Sequence, residues 1–81
     1  MTSTADDAVR AEVRAEMARK RLTNQALAAA TGKHPQTVGN ILNGTSPFPL
    51  AYAFEVCSVL GVDLVELMTR AARSQAEDVP A

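Results

Sequence analysis

A chain of 81 residues has room for one small core, which bounds it to a single domain that burial alone stabilises only marginally. Eight Lys+Arg against nine Asp+Glu leave a formal charge of −1, which excludes a uniformly basic nucleic-acid-binding surface. The single cysteine, Cys57, excludes an intramolecular disulfide and any multi-cysteine zinc site. Its place in an apolar run without a basic neighbour reads as a packed, inert thiol in a reducing compartment.

The charges are nevertheless sorted along the chain. Between Arg10 and Gly44, six basic residues (Arg10, Arg14, Arg19, Lys20, Arg21 and Lys33) stand against Glu12 and Glu16, a local excess of four between acidic flanks. The opening "MTSTADDAVRAEV" has no apolar targeting core, and no stretch approaches the length of a membrane span. These features read as a soluble protein kept inside the cell.

In chain order, residues 1–7 read as a flexible leader, in which Asp6 and Asp7 favour the positive end of a following helix. A first helix runs to about Lys20: Val9, Val13 and Met17 form an apolar stripe, and Arg10, Arg14, Glu12 and Glu16 are expected on the wet face. Thr23 caps a second helix that ends at Thr31 before Gly32. His34 and Pro35 open a third, closed by Asn43-Gly44. The segment "TSPFP" is a stiff connector. A fourth helix from about Pro49 to Leu60 has Leu50, Phe54, Cys57 and Leu60 as inward candidates. Asp63 caps a fifth from Leu64 to about Arg73, carrying Leu64, Leu67 and Met68. The polar tail 74–81, "SQAEDVPA", reads as disordered, which leaves residues 8–73 as the folded domain.

The stretch "NQALAAATGKHPQTVGNILN", Asn24 to Asn43, carries the functional signal. Ala28 lets two helices approach closely, Gly32 supplies the left-handed residue that turns the chain, and Val38 and Ile41 bury the second helix, with Leu27 and Leu42 completing the apolar side. At 100° per residue, Gln36, Asn40 and Asn43 fall about 140–200° from Val38. They form an outward strip of amides, flanked by Pro35, Thr37 and Gly39. An amide offers donor and acceptor together and matches the N6 and N7 edge of adenine, so a rigid strip of them can read a major groove.

Together "LTNQALAAATG", the turn "GKH", "PQTVGNILNG" and the later "VCSVLGVDLVELM" resemble the phage repressor and Cro-like (Xre-type) helix-turn-helix family over roughly Val9 to Met68. The resemblance implies an all-α fold, a compact five-helix bundle of the lambda-repressor-like type. It also implies a third helix docked in the major groove, and a homodimer on a pseudo-palindromic operator in double-stranded DNA. It places Pro35, Gln36, Thr37 and Asn40 against bases, with His34 at the edge, and Asn24 and Asn43 against phosphates. Lys33 and Arg19 join the phosphate set on charge and position. Three departures stand out. "TSPFP" lacks the basic residues that relatives often carry, which leaves backbone N–H groups and the start of the fourth helix to grip phosphate there. His34 replaces the usual Ser or Thr and should cap the third helix less firmly. Met17 and Leu42 stand where relatives often have an Arg–Glu pair.

Other readings are weaker on the residues. No nucleophile, base and orienting group come together, so no catalytic site is assigned. His34 is a lone histidine without metal-ligand spacing, and no cofactor is implied. Glu12 and Glu16 read as a solvated face. The competing classes are an antitoxin autorepressor or excision factor, which also bind DNA, and a protein-interaction module that has kept the fold and lost DNA. The −1 charge and the bare "TSPFP" loop favour the module.

Overall fold

The computed structural model describes the backbone of residues 4–77 and the side chains of residues 6–74. It consists of five helices: α1 (Thr4–Arg19), α2 (Asn24–Thr31), α3 (Pro35–Leu42), α4 (Leu50–Leu60) and α5 (Leu64–Glu77). The expected all-α five-helix architecture is what the chain adopts, with no strand among the described residues.

The boundaries follow from local chemistry. Thr23 Oγ1 accepts the Ala26 N–H at 3.1 Å and starts α2; Asp63 Oδ1 accepts the N–H groups of Val65 and Glu66 at 2.7 and 3.3 Å and starts α5. Gly32 and Gly61 end α2 and α4 in the left-handed region, at φ 71° and 70°. Two ends differ from expectation. α1 begins at Thr4, within the segment read as a leader, because Asp6 and Asp7 sit favourably in its first turn. α5 runs through Ala, Arg and Gln, all good helix formers, to Glu77, inside the segment read as a tail. Residues 1–3 and 78–81, the rest of those two segments, lie outside the described residues.

The core gathers Val13 and Met17 of α1, Leu27 and Ala28 of α2, Val38, Ile41 and Leu42 of α3, and apolar residues of α4 and α5. α5 lies along α1 in the most extensive helix–helix contact, followed by α2 against α3. On α1 the expected wet face is only partly wet: Arg10 and Glu16 are buried. They flank Val13 by about 60° on either side, so a stripe wide enough to cover the core takes in both, and each has its polar end satisfied there.

α4 turns Cys57 and Leu60 inward as expected, but not Leu50 and Phe54. Tyr52, Ala53, Val56, Cys57 and Leu60 face inward, whereas Leu50 is 68 % exposed and Phe54 66 %. This helix is apolar nearly all round, so its pattern could not fix which side meets the core. Met68 on α5 is also largely exposed, unlike Leu67 beside it.

Candidate nucleic-acid interface

α2, the turn at 32–34 and α3 form the helix-turn-helix unit. Ala28 is buried where α2 meets α3, and the Lys33 N–H donates to the Ala28 carbonyl at 3.0 Å across the left-handed Gly32. The expected weak cap is made all the same. His34 Nδ1 accepts the Gln36 N–H at 3.1 Å, which requires that nitrogen to carry no proton, and Pro35 occupies the first helical position. A Cβ built on Gly39 would lie 3.8 Å from Asn24 Nδ2, so the start of α2 rests beside the middle of α3.

The far end of α3 is held by a residue from α1. Arg10 Nε donates to the Ile41 carbonyl at 2.7 Å and Nη2 to the Ser46 carbonyl at 3.0 Å, while Nη1 reaches Asp7 at 3.4 Å. Carbonyls in the last turn of a helix lack an intrahelical donor, and a buried cation there also meets the negative end of the helix dipole. The following turn closes through Ser46 N–H to the Asn40 carbonyl at 3.0 Å and Thr45 N–H to Asn43 Oδ1 at 2.9 Å.

From α4, Tyr52 braces the turn between α2 and α3. Its hydroxyl lies 3.2 Å from Thr31 Oγ1, its ring packs on Phe48 with centroids 5.9 Å apart, and Lys33 Nζ sits 4.9 Å above its centre. Sequence reasoning gave neither Tyr52 nor Arg10 a role. Arg10 had a legible signal, since it stands three residues before Val13 and seven before Met17, on the stripe itself.

With its last turn held by Arg10, α3 exposes Pro35, Gln36 and Thr37 and half-exposes Asn40, with Asn24 and Asn43 exposed on either side. Pro35, Gln36, Thr37, Asn40, Asn24 and Asn43, singled out for bases and phosphates, thus lie on one helix and its two flanks, whereas Lys33 sits in the turn and Arg19 at the end of α1 beside Glu16. Asn43 spends its side-chain oxygen on the turn but keeps its amide N–H groups outward.

The basic excess of the segment is largely spent inside the protein. Arg10 serves carbonyls; Arg19 donates to Glu16, and Lys20 lies 3.8 Å from the same carboxylate; Lys33 rests on Tyr52. Glu16, read from the sequence as a solvated acid, is the centre of a network. Arg70 Nη1 donates to it at 2.8 Å from α5, and Arg70 Nη2 donates to Glu66 at 2.7 Å. Burial opposes its charge, but the hydrogen bond from Arg70 and the charges of Arg19, Arg70 and Lys20 outweigh that and hold its carboxyl below the usual range. Glu66 and then Glu16 raise Arg70 in turn. Burial, with the nearby Asp63 charge, pushes the Cys57 thiol up, which makes it a poor nucleophile.

No group of three or more His, Cys, Asp or Glu side chains among the described residues is arranged to hold a metal ion. No described helix is long and apolar enough to cross a membrane. Comparison with curated proteins and with solved structures yields no significant match. The helix-turn-helix family model matches residues 13–67, from Val13 at the centre of the α1 stripe to the buried Leu67 of α5, and so spans the whole unit and Tyr52, with Arg10 three residues before its start. The chain therefore belongs to the repressor and Cro-like (Xre-type) helix-turn-helix family of DNA-binding regulators.

Proposed function

We propose that this protein is a sequence-specific transcriptional repressor of the phage or prophage kind, acting in the cytoplasm of a bacterial host. α3 reads an operator from the major groove through Gln36 and Asn40, with Pro35 and Thr37 against thymine methyls, and Asn24, Lys33, Asn43 and Arg19 steady the phosphate backbone. The observation that carries this reading is the exposed amide strip on a helix whose last turn is held by Arg10 and whose preceding turn is braced by Tyr52. Base discrimination needs that rigidity, because a loosely held amide can pair with more than one base edge.

The same reading takes two chains to a pseudo-palindrome, their half-sites about one helical turn, roughly 34–36 Å, apart. The exposed Leu50 and Phe54 of α4 and Val65 and Met68 of α5 supply a face for the second copy. Shallow grooves join Leu50 to Met68 and Phe54 to Val65. On this reading the two chains come together on the operator, where the groove repeat sets their spacing.

Selection of bound duplexes from a random pool tests the reading. A two-fold symmetric motif is the expected result; recovery of no motif would overturn it. The internal use of most of the basic residues favours one other reading, a protein-interaction module without DNA, and retention on heparin at moderate salt would argue against that one.

A further inference from the structure

Three helices in this protein end in the same way. In each, a left-handed residue follows the last turn, and the next residue's N–H reaches back five positions. Lys33 donates to the Ala28 carbonyl at 3.0 Å, Val62 to Cys57 at 3.0 Å, and Leu22 to Met17 at 2.8 Å. At two of them the left-handed residue is glycine, Gly32 and Gly61. At the third, closing α1, it is Arg21 with φ 54°, the only non-glycine at positive φ among the described residues. Glycine holds this turn without strain, whereas any side chain at positive φ brings Cβ against the following carbonyl. The fold of the turn therefore does not call for arginine.

Nor does an internal partner. Arg10, Arg19, Lys20 and Lys33 each have one, but Arg21 is exposed and makes no ion pair or side-chain hydrogen bond among the described residues. Arg14 is similarly free, on the middle of α1. Arg21 differs in its place: it stands two residues before the Thr23 cap and three before Asn24, the residue that lies beside Gly39 of α3. Three residues of chain span at most about 10 Å, so a long cationic side chain at Arg21 lies within reach of the start of α2.

We infer that Arg21 grips a DNA phosphate flanking the groove read by α3, and that the left-handed strain is kept for that contact. This rests on the DNA-binding reading above and adds to it a cation that the turn geometry alone would replace by glycine. A phosphate contact attracts every duplex equally, so its signature is loss of affinity without loss of sequence preference, and a flatter salt dependence.

The experiment compares wild type with Arg21→Gly, which removes strain and charge, and with Arg21→Gln, which keeps the strain and removes the charge. Thermal unfolding and binding to the selected operator and to an unrelated duplex are measured from 50 to 300 mM salt, wild type first. The unfolding midpoint should rise for Arg21→Gly and stay level for Arg21→Gln. Both variants should bind operator and unrelated duplex about five- to tenfold more weakly at low salt, with the log–log slope reduced in magnitude by about one per chain. Arg21→Lys should keep the wild-type slope. Unchanged affinity and slope in Arg21→Gln would overturn the inference. So would a loss confined to the operator, which would make Arg21 a base reader. A wild-type protein that binds neither duplex at 50 mM salt fails the DNA-binding reading itself, before any variant is compared.

Discussion

The Nε–H of Arg10 on α1 donates to the Ile41 carbonyl at the end of α3 across 2.7 Å, in a site where Arg10 is 2 % exposed. With the second bond to the Ser46 carbonyl, this one side chain fixes both the last turn of α3 and the loop leaving it. Arg10→Met keeps the apolar stem and leaves both carbonyls without their donor, and should destabilise the fold by about 1–3 kcal/mol. Urea unfolding measures it. Arg10→Lys should recover only part of the loss, because one ammonium cannot reproduce the guanidinium fork.

Gln36→Ala and Asn40→Ala should each relax preference at one base position per half-site, by about 1–3 kcal/mol, as expected when an amide-to-adenine pair is removed. Stability should be nearly unchanged, since neither residue belongs to the core cluster. Binding titrations against single-base operator variants check both statements. Wild-type discrimination in both variants would show that α3 is not the reader.

Glu16 makes the protein acid-sensitive in a defined direction. Its folded pKa lies below the ordinary value of 4.5, so its contribution is fully present above about pH 4.5 and is lost as the pH falls from there through the folded value. Glu16→Gln should lower the unfolding midpoint at pH 7, and the gap to wild type should narrow by pH 3. Melting curves at the two pH values decide; a gap that stays constant would mean the network of Arg19, Lys20 and Arg70 contributes nothing through charge.

Met17 and Leu42 lie in one core cluster, where the family resemblance leads one to expect an ion pair. Met17→Arg buries a cation without a partner and should destabilise by several kcal/mol; adding Leu42→Glu should restore part of it. The double variant need not exceed wild type, because well-packed apolar residues often match a buried pair in stability. A double-mutant cycle by urea unfolding gives the coupling. A value near zero would mean that the two side chains do not meet within the cluster.

What the sequence determined by itself is local. Thr23, Gly32, Gly61 and Asp63 start or stop helices through bonds to their near neighbours, and Pro35 starts one through its fixed φ, so five helices and the turn between α2 and α3 were legible before any packing was known. The outward strip of Gln36, Asn40 and Asn43 was legible too, because α3 has a sharp apolar side that leaves only one orientation. Tertiary structure decided whatever depended on distant partners. α4 is apolar nearly all round, and only its neighbours turned Ala53 inward and Leu50 and Phe54 outward. A charged side chain reads as wet until something across the fold can satisfy it. For Arg10 those groups are the carbonyls of Ile41 and Ser46, 31 and 36 residues away, and for Glu16 it is Arg70, 54 residues away. Burial of a charge is favourable only where such partners converge, and that convergence is a property of the packed helices and not of any one stretch of chain.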